Sequence, residues 1–130
     1  MRDNVGEDNI VIFGLKADEV ASLRSDGHDP RAVIERSREL SQALAAIASG
    51  VFSPDDRNRY TALIEGIYSH DWFMVAADFD AYASAQREVD ILWADPSEWY
   101  AKTINNTARM GWFSSDRTIR QYAKEIWRAG

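Results

Sequence analysis

This 130-residue chain predicts a mainly α-helical fold, with one N-terminal edge strand followed by about six short helices. Three observations lead there. Apolar residues recur at i, i+3, i+4 and i+7 through most of the chain, the spacing of a single helix face. One run, Ile10-Val11-Ile12-Phe13, is apolar at every position and stopped by Gly14, as in a strand buried on both faces. No second run of that kind occurs.

A lone strand leaves its backbone N–H and C=O groups without partners, which costs free energy. Ile10 to Phe13 therefore predict that the chain is a piece of a larger, sheet-containing fold. A short helix near Ala17 to Ser25 ends at Gly27, ahead of Asp29-Pro30. Leu40, Ala43, Leu44, Ile47 and Ala48 mark the next helix, and Tyr60, Leu63, Ile64, Ile67 and Tyr68 another. Tyr82, Ala85, Val89, Leu92 and Trp93 give a looser version, and Trp99 to Met110 a further one. Ile119, Tyr122, Ala123, Ile126 and Trp127 form the last. Ser53-Pro54-Asp55-Asp56, Asp95-Pro96-Ser97 and Gly111-Trp112-Phe113-Ser114 separate them, with Ser and Asp as N-caps. Internal repeats, low-complexity tracts and long linkers are absent, so residues 1–130 read as a single, partial domain.

Composition narrows the class. Hydrophobic and charged fractions of 45% and 28% are those of an ordinary globular chain. No apolar run approaches the ~20 residues that span a bilayer, and the polar, acidic start lacks the pattern of a signal peptide. With no cysteine there is no disulfide framework, thiolate nucleophile or thiolate metal site. A cytoplasmic protein without a membrane partner is the plain reading. The net charge of −6 is uneven: residues 1–100 carry 9 Lys and Arg against 19 Asp and Glu, and residues 101–130 carry 6 against 2. A basic tail can be a nucleic-acid arm. Here apolar residues punctuate it at helical spacing and the acidic bulk repels phosphate backbones, so a helix docking on an acidic body is the better reading.

No active site is visible. Ser69-His70-Asp71 holds the letters of a hydrolase triad, but triads are assembled from separated positions, and a loop or cap role fits instead. His28 and His70 stand in no cluster with metal-ligand spacing. Asp78-Phe79-Asp80 imitates a metal-holding Asp-x-Asp pair. Its simpler role is a helix start, with Asp78 or Asp80 capping and Phe79 in the core. Asp55 and Asp56 after Pro54 are first-turn acids of the same kind. Asn105-Asn106-Thr107 is a formal glycosylation sequon without a secretion signal. Gly6, Gly14, Gly27, Gly50 and Gly66 are dispersed and form no phosphate loop. Ser114-Ser115-Asp116-Arg117 opens a helix, where Asp116 competes with any bound anion. Lys16, Lys102 and Lys124 look like solvated surface positions. The expected catalytic, cofactor-binding and metal-binding sets are all empty.

Six stretches share one family likeness. Gly6-Glu7-Asp8-Asn9-Ile10-Val11-Ile12-Phe13-Gly14, Gly27-His28-Asp29-Pro30 and Ile47-Ala48-Ser49-Gly50-Val51-Phe52-Ser53-Pro54 come first. His70-Asp71-Trp72-Phe73-Met74-Val75-Ala76-Ala77-Asp78-Phe79-Asp80-Ala81-Tyr82 and Gln86-Arg87-Glu88-Val89-Asp90 follow. The last and most specific is Ala108-Arg109-Met110-Gly111-Trp112-Phe113-Ser114-Ser115-Asp116-Arg117-Thr118-Ile119-Arg120, running into Tyr122, Ile126 and Trp127. In register, they resemble the C-terminal segment of the α-glucan (glycogen, starch and maltodextrin) phosphorylases. The departures are Val11 and Val51 for an expected Phe, His28 for Tyr, and Trp112 where Lys is common.

The resemblance implies the end of a Rossmann-like α/β domain in a two-domain glycosyltransferase. It also implies an activity of the whole enzyme, transfer of a glucosyl unit from an α-1,4-glucan to phosphate. Pyridoxal phosphate is the cofactor of that family, and the family's lysine motif for it is absent from this chain. The implied partner is the remainder of the phosphorylase, its N-terminal domain and the rest of its C-terminal domain. Glucan and phosphate are reached only through the whole enzyme, and the parent is expected to be a homo-oligomer. The segment's expected role is scaffold and interdomain strap, anchored by Trp112, Phe113, Ile119, Tyr122 and Trp127, and inactive alone. A second class stays open: a free-standing small helical binding module. Such a protein would have to cap its orphan strand and cover its apolar tail, and this sequence does neither.

Overall fold

In the computed structural model, which describes residues 2–128, the chain is helical, and no described residue pairs into a strand. The α-helices are α1 (Arg2–Val5), α2 (Ala17–Ser25), α3 (Pro30–Arg36), α4 (Arg38–Ala48), α5 (Thr61–Ser69), α6 (Val75–Trp93), α7 (Pro96–Arg109) and α8 (Ser115–Glu125). Two 3₁₀ turns, Glu7–Asn9 and Met110–Phe113, precede the extended segment and α8. The chain divides into two compact units, one of Phe13–Gln86 and one of Met1–Ile12 with Arg87–Gly130.

The expected edge strand is not formed, and with it falls the Rossmann-like α/β reading of this chain. Ile10 is extended, at φ −144° and ψ 132°, yet it enters no ladder. Val11, Ile12 and Phe13 are exposed. The reason is physical: a strand is held by its neighbour's N–H and C=O groups, and the sequence offers no second strand. Ile10 keeps an extended backbone, and the run lacks a sheet.

Phe13–Gln86 is built around one aliphatic cluster. Ile34, Leu40, Leu44 and Ala76 are buried, with Val33, Ile64, Ile67, Tyr68 and Phe79 packed against them. Each fully buried Ile or Leu contributes about 1.5–3 kcal/mol. Helix α3 escapes periodicity because it is only seven residues long, but its start is well specified: Asp29 accepts from the N–H groups of Arg31 and Ala32, and Pro30 opens the helix. Ser37 ends α3 and caps α4, its hydroxyl accepting from Leu40 N–H. Gly14 turns the chain at φ +82°, and a Cβ there would lie 2.7 Å from Cγ of Asp78.

The other unit is held mainly by polar contacts. Along α7, Lys102, Asn106 and Arg109 recur at i, i+4 and i+7 and donate to backbone carbonyls of Asp8, Asn9 and Val5 respectively. Gly6, at φ +89°, sits so close that a Cβ would meet the Arg109 guanidinium at 2.8 Å. Asp95 and Pro96 start α7 as the sequence indicates, and Ser114 caps α8 by accepting from Arg117 N–H. Val5 is the one buried residue of this unit among those described.

Candidate functional site

The residues with chemical potential lie in the segment His70–Asp80, within Phe13–Gln86. Asp71 is fully buried, in the left-handed region at φ +43°. Its carboxylate accepts from Ala76 N–H through both oxygens, at 3.1 and 3.0 Å, and from Ala77 N–H at 3.2 Å. It therefore satisfies the free amides at the start of α6. Nε2 of His28, itself nearly buried, lies 3.1 Å from the same carboxylate. Arg24 of α2 donates to the carbonyl of Trp72 at 2.6 Å, and His70 stacks flat on the Trp72 ring.

Asp78 and Asp80 do not cap α6, contrary to the reading of Asp78-Phe79-Asp80 as a helix start. The helix has begun at Val75, and both side chains reach sideways. Asp78 accepts from Leu15 N–H at 2.8 Å, and Asp80 accepts from the Ser37 hydroxyl at 2.6 Å. Phe79 packs on the core, as expected. Ser69, His70 and Asp71 diverge: the serine donates to Glu65 O, the histidine stacks on Trp72, and the aspartate faces His28. Among the described residues no group of three or more His, Cys, Asp or Glu could hold a metal ion. This constellation clamps elements together; its carboxylates are occupied by internal donors.

The other unit carries a groove of about 690 Å³. Ile10, Val11, Ile12, Val89, Leu92 and Trp99 make it apolar, and Glu7, Asp8 and Glu88 place acids along it. It does not fit a phosphate-bearing cofactor such as pyridoxal phosphate. Its lysine, Lys102, is half-buried, already donating to Asp8 O and paired with Glu98 at 3.2 Å, and the surrounding carboxylates repel a phosphate. Lys102 is thus a structural donor and not the solvated lysine that the sequence suggests.

Helix α8 carries the third feature. Arg117 lies over the Trp112 ring at 4.3 Å and donates to Trp112 O and to Gln121 Oε1, pinning the 3₁₀ turn to the helix. Trp112, Phe113, Ile119, Tyr122, Ile126 and Trp127 are exposed, with Tyr122 and Trp127 in edge-to-face contact at 6.2 Å. The expected strap residues therefore form an open apolar surface.

Sequence reasoning gave Ser69-His70-Asp71 a loop or cap role without naming α6 as the helix capped, and it missed the α7 donors Asn106 and Arg109 and the His28 pairing. The partners stand 43 to 104 residues apart in sequence, so no local signal joins them. Only the cap had a nearby clue, an Asp four residues before the helix.

Comparison with known proteins gives this arrangement a family. The carbohydrate phosphorylase model matches residues 1–129. The chain is 42% identical over 126 residues to glycogen phosphorylase of Pasteurella multocida (strain Pm70), covering 97% of this chain and 15% of that protein. It is 42% identical over 127 residues to the brain form of glycogen phosphorylase of Rattus norvegicus, covering 98% and 15%. For glycogen phosphorylase of Haemophilus influenzae the identity is 40% over 126 residues, covering 97% and 15%. The chain belongs to the carbohydrate phosphorylase family. It is homologous to a part of glycogen phosphorylase and spans about 15% of the length of these relatives. Among the described residues no helix is long and apolar enough to cross a membrane.

Proposed function

We propose that this chain is the C-terminal, non-catalytic part of an α-1,4-glucan phosphorylase and acts as a scaffold and strap for the rest of that enzyme. The observation that carries the reading is the match itself: 97% or more of this chain against 15% of each relative. The exposed apolar face of α8 and the groove beside Ile10 to Ile12 support it, since both are surfaces that a longer chain would cover. Transfer of a glucosyl unit from glucan to phosphate, giving glucose 1-phosphate, belongs to the whole enzyme. So do pyridoxal phosphate, a homo-oligomeric state and a cytoplasmic location. Residues 1–130 supply part of a domain, and no catalytic, cofactor or metal ligand among them is assigned.

The test has two parts. The chain alone, given glycogen and phosphate, releases no glucose 1-phosphate. Grafted into the Pasteurella multocida relative in place of the matching stretch, it carries Trp127→Ala as a loss of melting temperature, with KM for glucan little changed. A raised KM at unchanged melting temperature would sink the strap role, and turnover by the chain alone would sink the reading as a whole.

A further inference from the structure

We infer that the two units of this chain differ in autonomy: Phe13–Gln86 is a self-supporting scaffold, and the other unit is a docking element that gains stable order when the remainder of a phosphorylase chain covers it. The inference rests on the reading that the chain is part of such an enzyme. Burial draws the distinction. Phe13–Gln86 holds Ile34, Leu40, Leu44, Met74, Ala76 and Ala85 away from water, and the buried Asp71 together with Asp78 and Asp80 ties its elements by hydrogen bonds. In the other unit Val5 alone is buried among the described residues. Ile91, Ile104 and Ile126 there are 75%, 67% and 64% exposed, but Phe73, Trp72 and Phe52 of Phe13–Gln86 are also exposed, so the units differ in what they bury and not in what they expose. Helices α7 and α8, of 14 and 11 residues, are at the length where a helix without tertiary packing is marginal in water.

The occupant is a polypeptide, and specifically the other 85% of a phosphorylase, because that share of each relative lies outside the stretch that this chain matches. Charge refines the fit. The groove joins an apolar floor of Ile10, Val11, Val89, Leu92 and Trp99 to the acids Asp8 and Glu88, so it suits an apolar segment flanked by Lys or Arg. The second surface is Ile119 and Tyr122 on α8 with Ile126 and Trp127 just beyond it, all exposed, which suits an apolar partner surface. A single small ligand would satisfy neither pattern.

Hydrogen exchange read by mass spectrometry tests this on the free chain and on the Pasteurella multocida chimera. In the free chain, amides of α4 and the first half of α6 exchange on the order of 100-fold more slowly than those of α7 and α8, as expected for a core against an uncovered element. In the chimera, α7 and α8 slow to match them. Equal protection of α4, α7 and α8 in the free chain overturns the inference without any need for the chimera to fold. An active chimera with α7 and α8 still unprotected also overturns it, and leaves the family role standing. A folded but inactive chimera counts against the role itself. If protection of α7 and α8 in the free chain rises with concentration, alongside a larger sedimentation coefficient, a second copy is the occupant and the docking claim fails.

Discussion

Asp71 joins three obligations in one carboxylate: the first amides of α6, the imidazole of His28, and its own left-handed backbone. Asp71→Ala removes the cap and leaves a nearly buried imidazole without its partner. It should cost about 2–4 kcal/mol, the sum of a lost helix cap and a buried unpaired polar group. Urea unfolding followed by far-ultraviolet circular dichroism measures it, and a loss below 1 kcal/mol would show the pair to be dispensable. Gly14→Ala tests the neighbouring clamp. The new Cβ meets the Asp78 carboxylate at 2.7 Å with φ held at +82°, so a loss of at least about 1 kcal/mol is expected from the left-handed backbone alone. At this scale the sequence was partly legible. The loop-or-cap role for Ser69-His70-Asp71 and the core position of Phe79 followed from residue type and spacing. The sideways reach of Asp78 and Asp80 did not, since Leu15 and Ser37 lie 63 and 43 residues away.

Helices with strong boundary chemistry were read well. Asp95-Pro96 opens α7 and Ser114 opens α8 because both motifs satisfy amides that a helix start leaves free. The segment Ala17–Ser25 has the extent that its flanks suggested. Helix α6 begins seven residues before Tyr82, where the apolar pattern became visible, because its first turns carry Ala and Asp and not a regular apolar stripe. Short α1 and α3 lack the length to show a period at all. The run Ile10 to Phe13 failed as a strand for a different reason: pairing is a property of two segments, and composition reports only one. Ser114→Ala should reduce the stability of α8 by about 1 kcal/mol, the usual worth of a serine cap. Lost helicity and faster exchange confined to residues 115–125 check this, and an unchanged signal there would mean that Arg117 and Trp112 hold the helix start without the cap.

At the scale of the whole molecule, this chain has the surface of a part. One unit hides an aliphatic cluster and ties it with the buried Asp71 and with Asp78 and Asp80, and both units display large aromatics to solvent, Trp72 and Phe73 in the first and Trp93, Trp112 and Trp127 in the other. The family likeness was legible because its signature occupies local stretches of sequence, and the relatives match it over nearly the full chain. The sheet that the likeness implies is not formed among the described residues, because Ile10 to Phe13 have no second strand to pair with. The most direct measurement is phosphorolysis by the chimera in which residues 1–130 replace the matching stretch of the Pasteurella multocida glycogen phosphorylase. The account predicts glucose 1-phosphate release within about tenfold of the unaltered relative, the ordinary scale of an effect that leaves the reacting groups in place, and none from the chain alone. A chimera that folds yet is inactive, or a chain that turns over glucan unaided, would contradict it.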